Sequence, residues 1–198
     1  MWWIGGMSTG RLEAFSDGVI AILITIMILE LKVPHEATLE ALRPVLPVFL
    51  TYVLSYVFLG IYWNNHHHMM HATKRVTGGV LWANLHLLFW LSLIPFTTAW
   101  MGENGFRPVP TAIYGVVLLL ASIAYFILVR VIVAEEGASS ELAAAVGSDA
   151  KGRTSTALYA VAIPLSFVQC WLALGIYILV ALMWLVPDRR IESRLRAR

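Results

Sequence analysis

Charge is scarce in this chain. Only 13% of its 198 residues are Asp, Glu, Lys or Arg, against about 25% in a typical soluble domain. Apolar residues make up 59% and the mean hydropathy is +0.75. This balance excludes an ordinary soluble enzyme domain, and it excludes disorder. Charge of one sign is lacking too: the net charge is +2, and no basic face is gathered for nucleic acid. Cysteine is nearly absent. With Cys170 alone, neither an intrachain disulfide nor a cysteine zinc site is possible. Gly/Ser linkers, internal repeats and low-complexity tracts are missing. The length admits one domain or one membrane bundle, not two.

Long apolar runs are what the chain does have, and lipid is the solvent that suits them. The opening MWWIGGMSTGR lacks a basic leader, a long apolar region and a small-residue cleavage site, so it does not read as a secretory signal. Met7 reads as an alternative start, followed by a short tail entering a helix. A span takes about 20 mostly apolar residues. Four candidates stand out, at residues 12–31, 46–63, 80–100 and 111–133. Pro34 and His35 end the first, Pro44 and Pro47 precede the second, and Glu135, Glu136 and Gly137 stop the fourth. Pro95 falls inside the third and is expected to kink its outer half.

The stretch 156–186 is too long for one span: roughly 31 residues make about 46 Å of helix against about 30 Å of hydrocarbon. Charge decides between one crossing and two. Lys74, Arg75, Lys151, Arg153 and the basic residues Arg189, Arg190, Arg194, Arg196 and Arg198 fall on one side only if this stretch crosses twice. With Arg11 and Arg130 this puts 11 basic residues inside, leaving three (Lys32, Arg43 and Arg107) outside, as positive-inside bias requires. The expected architecture is an all-α membrane protein of six transmembrane helices with both termini cytosolic. The last turn is expected near residues 167–169. The Ala- and Glu-rich segment 135–151 reads as a short surface helix. Trp63, Trp82, Trp100 and Trp184 sit near predicted span ends, where amphipathic rings anchor.

Polar residues inside spans are the candidates for function. Asp17 lies in the first span and needs a partner or water. Arg11, six residues earlier, is not on its helix face, so the expected partner lies on another helix. On a wheel with Ile22 at zero, Gly18 and Ile26 fall within about 40°. Leu29 falls within about 20° and Thr25 about 60° off, while Asp17 lies about 140° away. One stripe is therefore smooth and apolar with one hydroxyl; the other side carries the acid. By pattern alone the smooth stripe is a lipid-facing or packed side, and Thr25 is expected to bond its own helix backbone.

Four of six histidines cluster at His66, His67, His68 and His71. His67 and His71 share a helix face at a spacing that suits a metal. No carboxylate or cysteine lies near in sequence, so a metal site is not expected, and His67, His68 and His71 read as a polar helix end. His66, three residues after Trp63 on the apolar side, is the better candidate for a buried role. Asn84 and His86 lie in the third span. Depth alone suggests that Asp17, Trp63, His66 and Asn84 meet as one hydrogen-bonded knot. Glu30 and Lys32 are expected to be solvated at the outer end, and Gln169 to mark a turn or an interhelical bond.

Arg11-x-x-x-Phe15-Ser16-Asp17 at the start of the first span resembles the signature of the lysosomal potassium channel family called transmembrane protein one-seven-five, specifically its short bacterial and archaeal homologues. Trp63-x-x-His66, Asn84-Leu85 and Pro95-Phe96-Thr97 extend the resemblance through the third helix, and the stretch 22–29 is similar to the pore lining. The resemblance implies a homotetramer with the first helix around a central pore. It implies passive potassium permeation with no pore-loop filter, no enzymatic activity and no cofactor. The chain has no Thr-Val-Gly-Tyr-Gly-like segment. Residues 1–198 are then one transmembrane channel domain, with an N-terminal tail at 1–10, a cytosolic connector at 135–152 and a basic cytosolic tail at 188–198. Its place is the plasma membrane of a prokaryote, and its partners are potassium ions, lipid and its own copies. The resemblance assigns Ile22, Thr25, Ile26 and Leu29 to the constriction. It assigns Arg11, Phe15, Ser16, Asp17, Trp63 and His66 to holding the pore helices together. Asn84 joins them by depth. The alternative is a metal-dependent integral membrane enzyme using the cluster His66–His71; it needs a carboxylate beside His67 and His71.

Overall fold

The computed structural model describes residues 8–137, 140–146 and 149–185. Residues 1–7, most of the expected N-terminal tail, and the expected basic tail 188–198 lie outside the described residues. All regular structure among the described residues is helical. Helix α1 spans Thr9–Leu29 and α2 spans Leu46–Ala72, introduced by a 3-10 turn at Glu40–Val45. Then come α3 (Gly78–Ser92), α4 (Ile94–Glu103), α5 (Pro108–Glu136), α6 (Glu141–Val146), α7 (Ala150–Val168) and α8 (Cys170–Leu185).

Four stretches are long and apolar enough to cross a membrane: Thr9–Leu29, Glu40–Ala72, Gly78–Glu103 and Pro108–Glu136. They correspond to the four predicted spans. The third is broken between α3 and α4 at Leu93, with Pro95 in the first turn of α4. Proline has no N–H to give the preceding turn, so the break sits where the sequence puts it. Helix α2 runs nine residues beyond Trp63 to Ala72, so the histidine run is helical throughout. Hydropathy marks where the apolar stretch ends, whereas the backbone ladder continues through polar residues.

The stretch after residue 150 divides at Gln169, which is extended (φ −155°, ψ 103°). Trp184 Nε1, near the end of α8, donates to Ser155 Oγ, near the start of α7, at 2.8 Å. The two helices are therefore a hairpin, and its turn falls at the residue predicted. Helix α7 opens on Asp149, whose left-handed backbone (φ 44°) lets its carboxylate accept the Gly152 N–H at 3.2 Å. Burial holds that carboxyl above its ordinary pKa, while the Gly152 N–H favours the charged form. In the connector, α6 is the short helix expected there.

Helix ends sort onto two sides. The Thr9 hydroxyl donates to the Thr73 carbonyl at 3.3 Å, Lys74 N–H donates to Glu136, and the Thr77 hydroxyl donates to Glu135 at 3.3 Å. One end thus gathers the start of α1, the end of α2, the start of α3 and the end of α5. At the other end Lys32 pairs with Glu103 at 3.4 Å, both exposed.

Helix α5 is the centre of the bundle and packs on α3, α4, α7 and α8. Tyr114, Tyr177, Phe58, Leu87, Leu118 and Leu128 are among its fully buried side chains. Polar side chains stitch the layers: Ser55 of α2 meets Thr98 of α4 at 2.6 Å and Tyr114 of α5 at 2.9 Å. Such bonds between helices contribute about 0.6–2 kcal/mol each in lipid. Helix α1 stands at the margin of the bundle, touching α2, α3 and α4.

Candidate functional site

Helix α1 presents two unlike sides. Leu12, Ser16, Ile20, Leu23 and Met27 are buried against the bundle. Their spacing of three and four residues is one helical stripe. On the other side Gly18, Ile22, Thr25, Ile26 and Leu29 are exposed, with Ile26 at the rim of a groove shared with Pro95, Phe96 and Trp100 of α4. Ile22 is 58% exposed and Leu29 79%. Thr25 Oγ1 donates to the Ala21 carbonyl one turn back at 2.5 Å. Its proton is thus committed to the helix, and only oxygen lone pairs are left to face outward.

The packed side carries a buried polar seam. His66 Nε2 donates to Asn84 Oδ1 at 2.7 Å, Asn84 Nδ2 donates to Ser16 Oγ at 2.9 Å, and Ser16 Oγ donates to the Leu12 carbonyl at 2.9 Å. All three side chains are fully buried. The donors run in one direction across α2, α3 and α1. With Asn84 Oδ1 as the acceptor, His66 Nε2 is the nitrogen that carries the shared proton.

Of the expected knot the structure joins only His66 and Asn84; Ser16, which was not expected there, completes the chain of bonds, and Asp17 lies beside it. Asp17 is half-buried, and its Oδ1 has no hydrogen-bond partner among the described residues; neither has His66 Nδ1. On α1 it is the neighbouring Ser16, not the acid, that bonds Asn84. Trp63 does not join the knot. It is exposed and stacks on His67 one turn along α2, with ring centroids 6.0 Å apart. Arg11 and Phe15 are exposed as well. His86 is exposed and accepts from Trp90 Nε1 at 2.9 Å.

Sequence reasoning missed Glu13. Its carboxylate meets His67 Nδ1 at 2.7 Å and His71 Nδ1 at 3.2 Å. His67 and His71 are therefore not only a polar helix end; they dock α2 onto α1. No local pattern marks this, because the carboxylate comes from a different helix.

A cavity of about 410 Å³ lies elsewhere, among Phe58, Tyr62, Asn65, Ser122, Thr156 and Trp184. No residue of α1 lines it, so it is separate from the exposed stripe.

A family model described as the endosomal/lysosomal potassium channel TMEM175 matches residues 11–95. A potassium channel of Chryseobacterium sp. (strain P1-3) is 53% identical over 190 residues, covering 96% of this chain and 99% of the relative. This chain belongs to the TMEM175 family. A potassium channel of Chamaesiphon minutus is 31% identical over 186 residues, covering 88% of this chain and 92% of its own. The fold also matches the crystal structure of a lysosomal potassium-selective channel TMEM175 homolog from Chamaesiphon minutus, with a TM-score of 0.77 at 29% identity. That match covers 90% of this chain and 96% of the other. The TMEM175 assignment makes the chain an integral membrane protein and displaces the enzyme alternative, because these relatives are potassium channels, not enzymes.

Proposed function

We propose that this chain is the subunit of a potassium channel in which four copies set α1 around a central axis. Each subunit crosses the plasma membrane of a prokaryote six times, with both termini in the cytosol. Three observations support the crossing count: the four long apolar stretches, the hairpin of α7 and α8, and the sorting of basic residues.

The observation that carries the pore reading is the sidedness of α1. One face is held by a buried hydrogen-bonded seam, while Ile22, Ile26 and Leu29 are exposed on the protomer. Family membership supports reading that bare apolar face as a pore wall rather than a lipid contact. Four Ile22 side chains around a closed axis make an apolar collar. A narrow collar expels water, and a dry throat stops ions because dehydration is far more costly than thermal energy. Slight widening admits a partly hydrated ion. Potassium holds its water less tightly than sodium, so pore width and dehydration favour it without a carbonyl filter. The outward lone pairs of Thr25 offer an oxygen beyond the collar.

Closure of the ring also accounts for side chains that one copy leaves bare. Arg11, Phe15 and Trp63 are exposed on a single subunit and are covered when a neighbour packs there. Potassium is the permeant species, and no cofactor takes part.

Purified protein in liposomes tests this reading. A potassium gradient with a voltage-setting ionophore is expected to drive flux in proportion to protein, with a smaller flux for sodium. Liposomes whose flux equals protein-free controls refute it.

A further inference from the structure

The contact of Glu13 with His67 and His71 is more than a surface ion pair. Two imidazoles four residues apart on α2 and one carboxylate from α1 turn three ligand atoms toward one point, all within 4.8 Å of one another. Both histidines present the same nitrogen: Nδ1 lies 2.7 Å from Glu13 Oε1 in His67 and 3.2 Å in His71. The carboxylate is only 15% exposed, so it is held in place rather than swinging in solvent. His71 is open to solvent and leaves an approach route.

We propose that Glu13, His67 and His71 form a binding site for a divalent transition-metal ion of the zinc class. Two imidazoles and a carboxylate, with a fourth position left to water, are a recurrent zinc ligand set. Bonds of about 2.0–2.2 Å in a tetrahedron place ligand atoms about 3.4 Å apart. The observed contacts of 2.7 and 3.2 Å therefore need to open by less than an ångström, which rotamer adjustment supplies. Calcium and magnesium are poor candidates, because they favour all-oxygen shells. The ion joins α1 to α2 near one end of the bundle, where the Thr9 hydroxyl also bonds the Thr73 carbonyl.

Full-length protein in detergent, with any polyhistidine tag removed, is titrated with zinc chloride by calorimetry. Wild type is expected to bind one zinc per chain and to gain thermal stability on binding. His71→Ala and Glu13→Gln are expected to weaken binding at least tenfold and to lose the thermal shift. His71 is exposed, so its removal leaves the bundle intact, as monodispersity on a sizing column checks. His68→Ala, in the same histidine run but outside the cluster, keeps wild-type affinity, and magnesium gives no binding. The proposal is overturned if wild type has no saturable site, or if His71→Ala binds as wild type does. It is overturned equally if His68→Ala weakens binding as much as His71→Ala, which marks loose adsorption to a histidine-rich helix. None of these readouts depends on ion flux.

Discussion

Asn84 and His66 meet at 2.7 Å inside the bundle, and the same Asn84 passes its amide proton to Ser16 on α1 at 2.9 Å. A single carboxamide thus fastens the helix with the exposed apolar stripe to two others. Replacing Asn84 with Leu keeps the branched outline but adds bulk, strands the His66 N–H and removes the Ser16 partner. A buried polar group left unsatisfied costs about 1–3 kcal/mol. Asn84→Leu is therefore expected to lower the unfolding midpoint in detergent and the yield of assembled protein. A variant as stable as wild type refutes the role given to this seam.

The parts of this arrangement differ in how far the sequence discloses them. The broken third span and the last hairpin were legible, because Pro95 lacks a backbone donor and because the stretch after 156 exceeds one bilayer thickness. The sidedness of α1 was legible from the wheel, with Ile22 and Asp17 on opposite faces. What lay hidden are pairings between helices. Asp17 drew attention as the costly residue in lipid, yet the small neighbouring hydroxyl of Ser16 makes the bond to Asn84. Glu13 gave no signal at all. Its partners sit two helices' worth of chain away, and no periodicity encodes which turns of α1 and α2 face one another. Trp63 shares its predicted depth with the seam but not its direction, and depth alone cannot separate the two.

Gly115 of α5 faces the Tyr177 hydroxyl so closely that a Cβ there overlaps it. Tyr177 is fixed in turn by donating to the Thr111 carbonyl at 3.1 Å. Gly115→Ala forces the ring aside, and overpacking of this kind costs about 1–3 kcal/mol. Its unfolding midpoint is expected to fall. The double variant with Tyr177→Phe removes the clashing oxygen and recovers part of the loss. A double variant worse than the sum of the singles counts against a steric cause.

Asp17 lies beside the seam with one buried oxygen that has no hydrogen-bond partner among the described residues. On the tetramer reading it belongs to the packing of pore helices, not to the throat, since it sits across α1 from Ile22. Asp17→Ala is expected to reduce the amount of assembled protein on a sizing column more than it changes the selectivity of what assembles. Normal yields of assembled protein with altered selectivity reverse these roles.

The proposed axis can be probed with a single thiol. Cys170 is the one native cysteine, so Cys170→Ser leaves a clean background. Ile22→Cys on that background is expected to give disulfide-linked dimers in membranes under mild oxidant, because a ring of symmetry copies brings equivalent side chains together. Phe89→Cys, on an exposed face of α3, is not expected to link. Cross-links at 89 but none at 22 place the stripe in lipid.

The strongest test of the proposed mechanism changes the wetting of the proposed collar. Ile22→Asn replaces an apolar surface with a smaller side chain that carries donors and acceptors. Water then occupies the throat at little cost, and ions cross with less dehydration. Flux is expected to rise. The preference for potassium over sodium is expected to shrink, because selectivity by dehydration vanishes where dehydration is no longer required. The two effects must come together: higher conductance with an unchanged reversal potential under mixed potassium and sodium gradients means that Ile22 restricts flow without selecting. A variant unchanged in both means that the throat lies elsewhere on the chain.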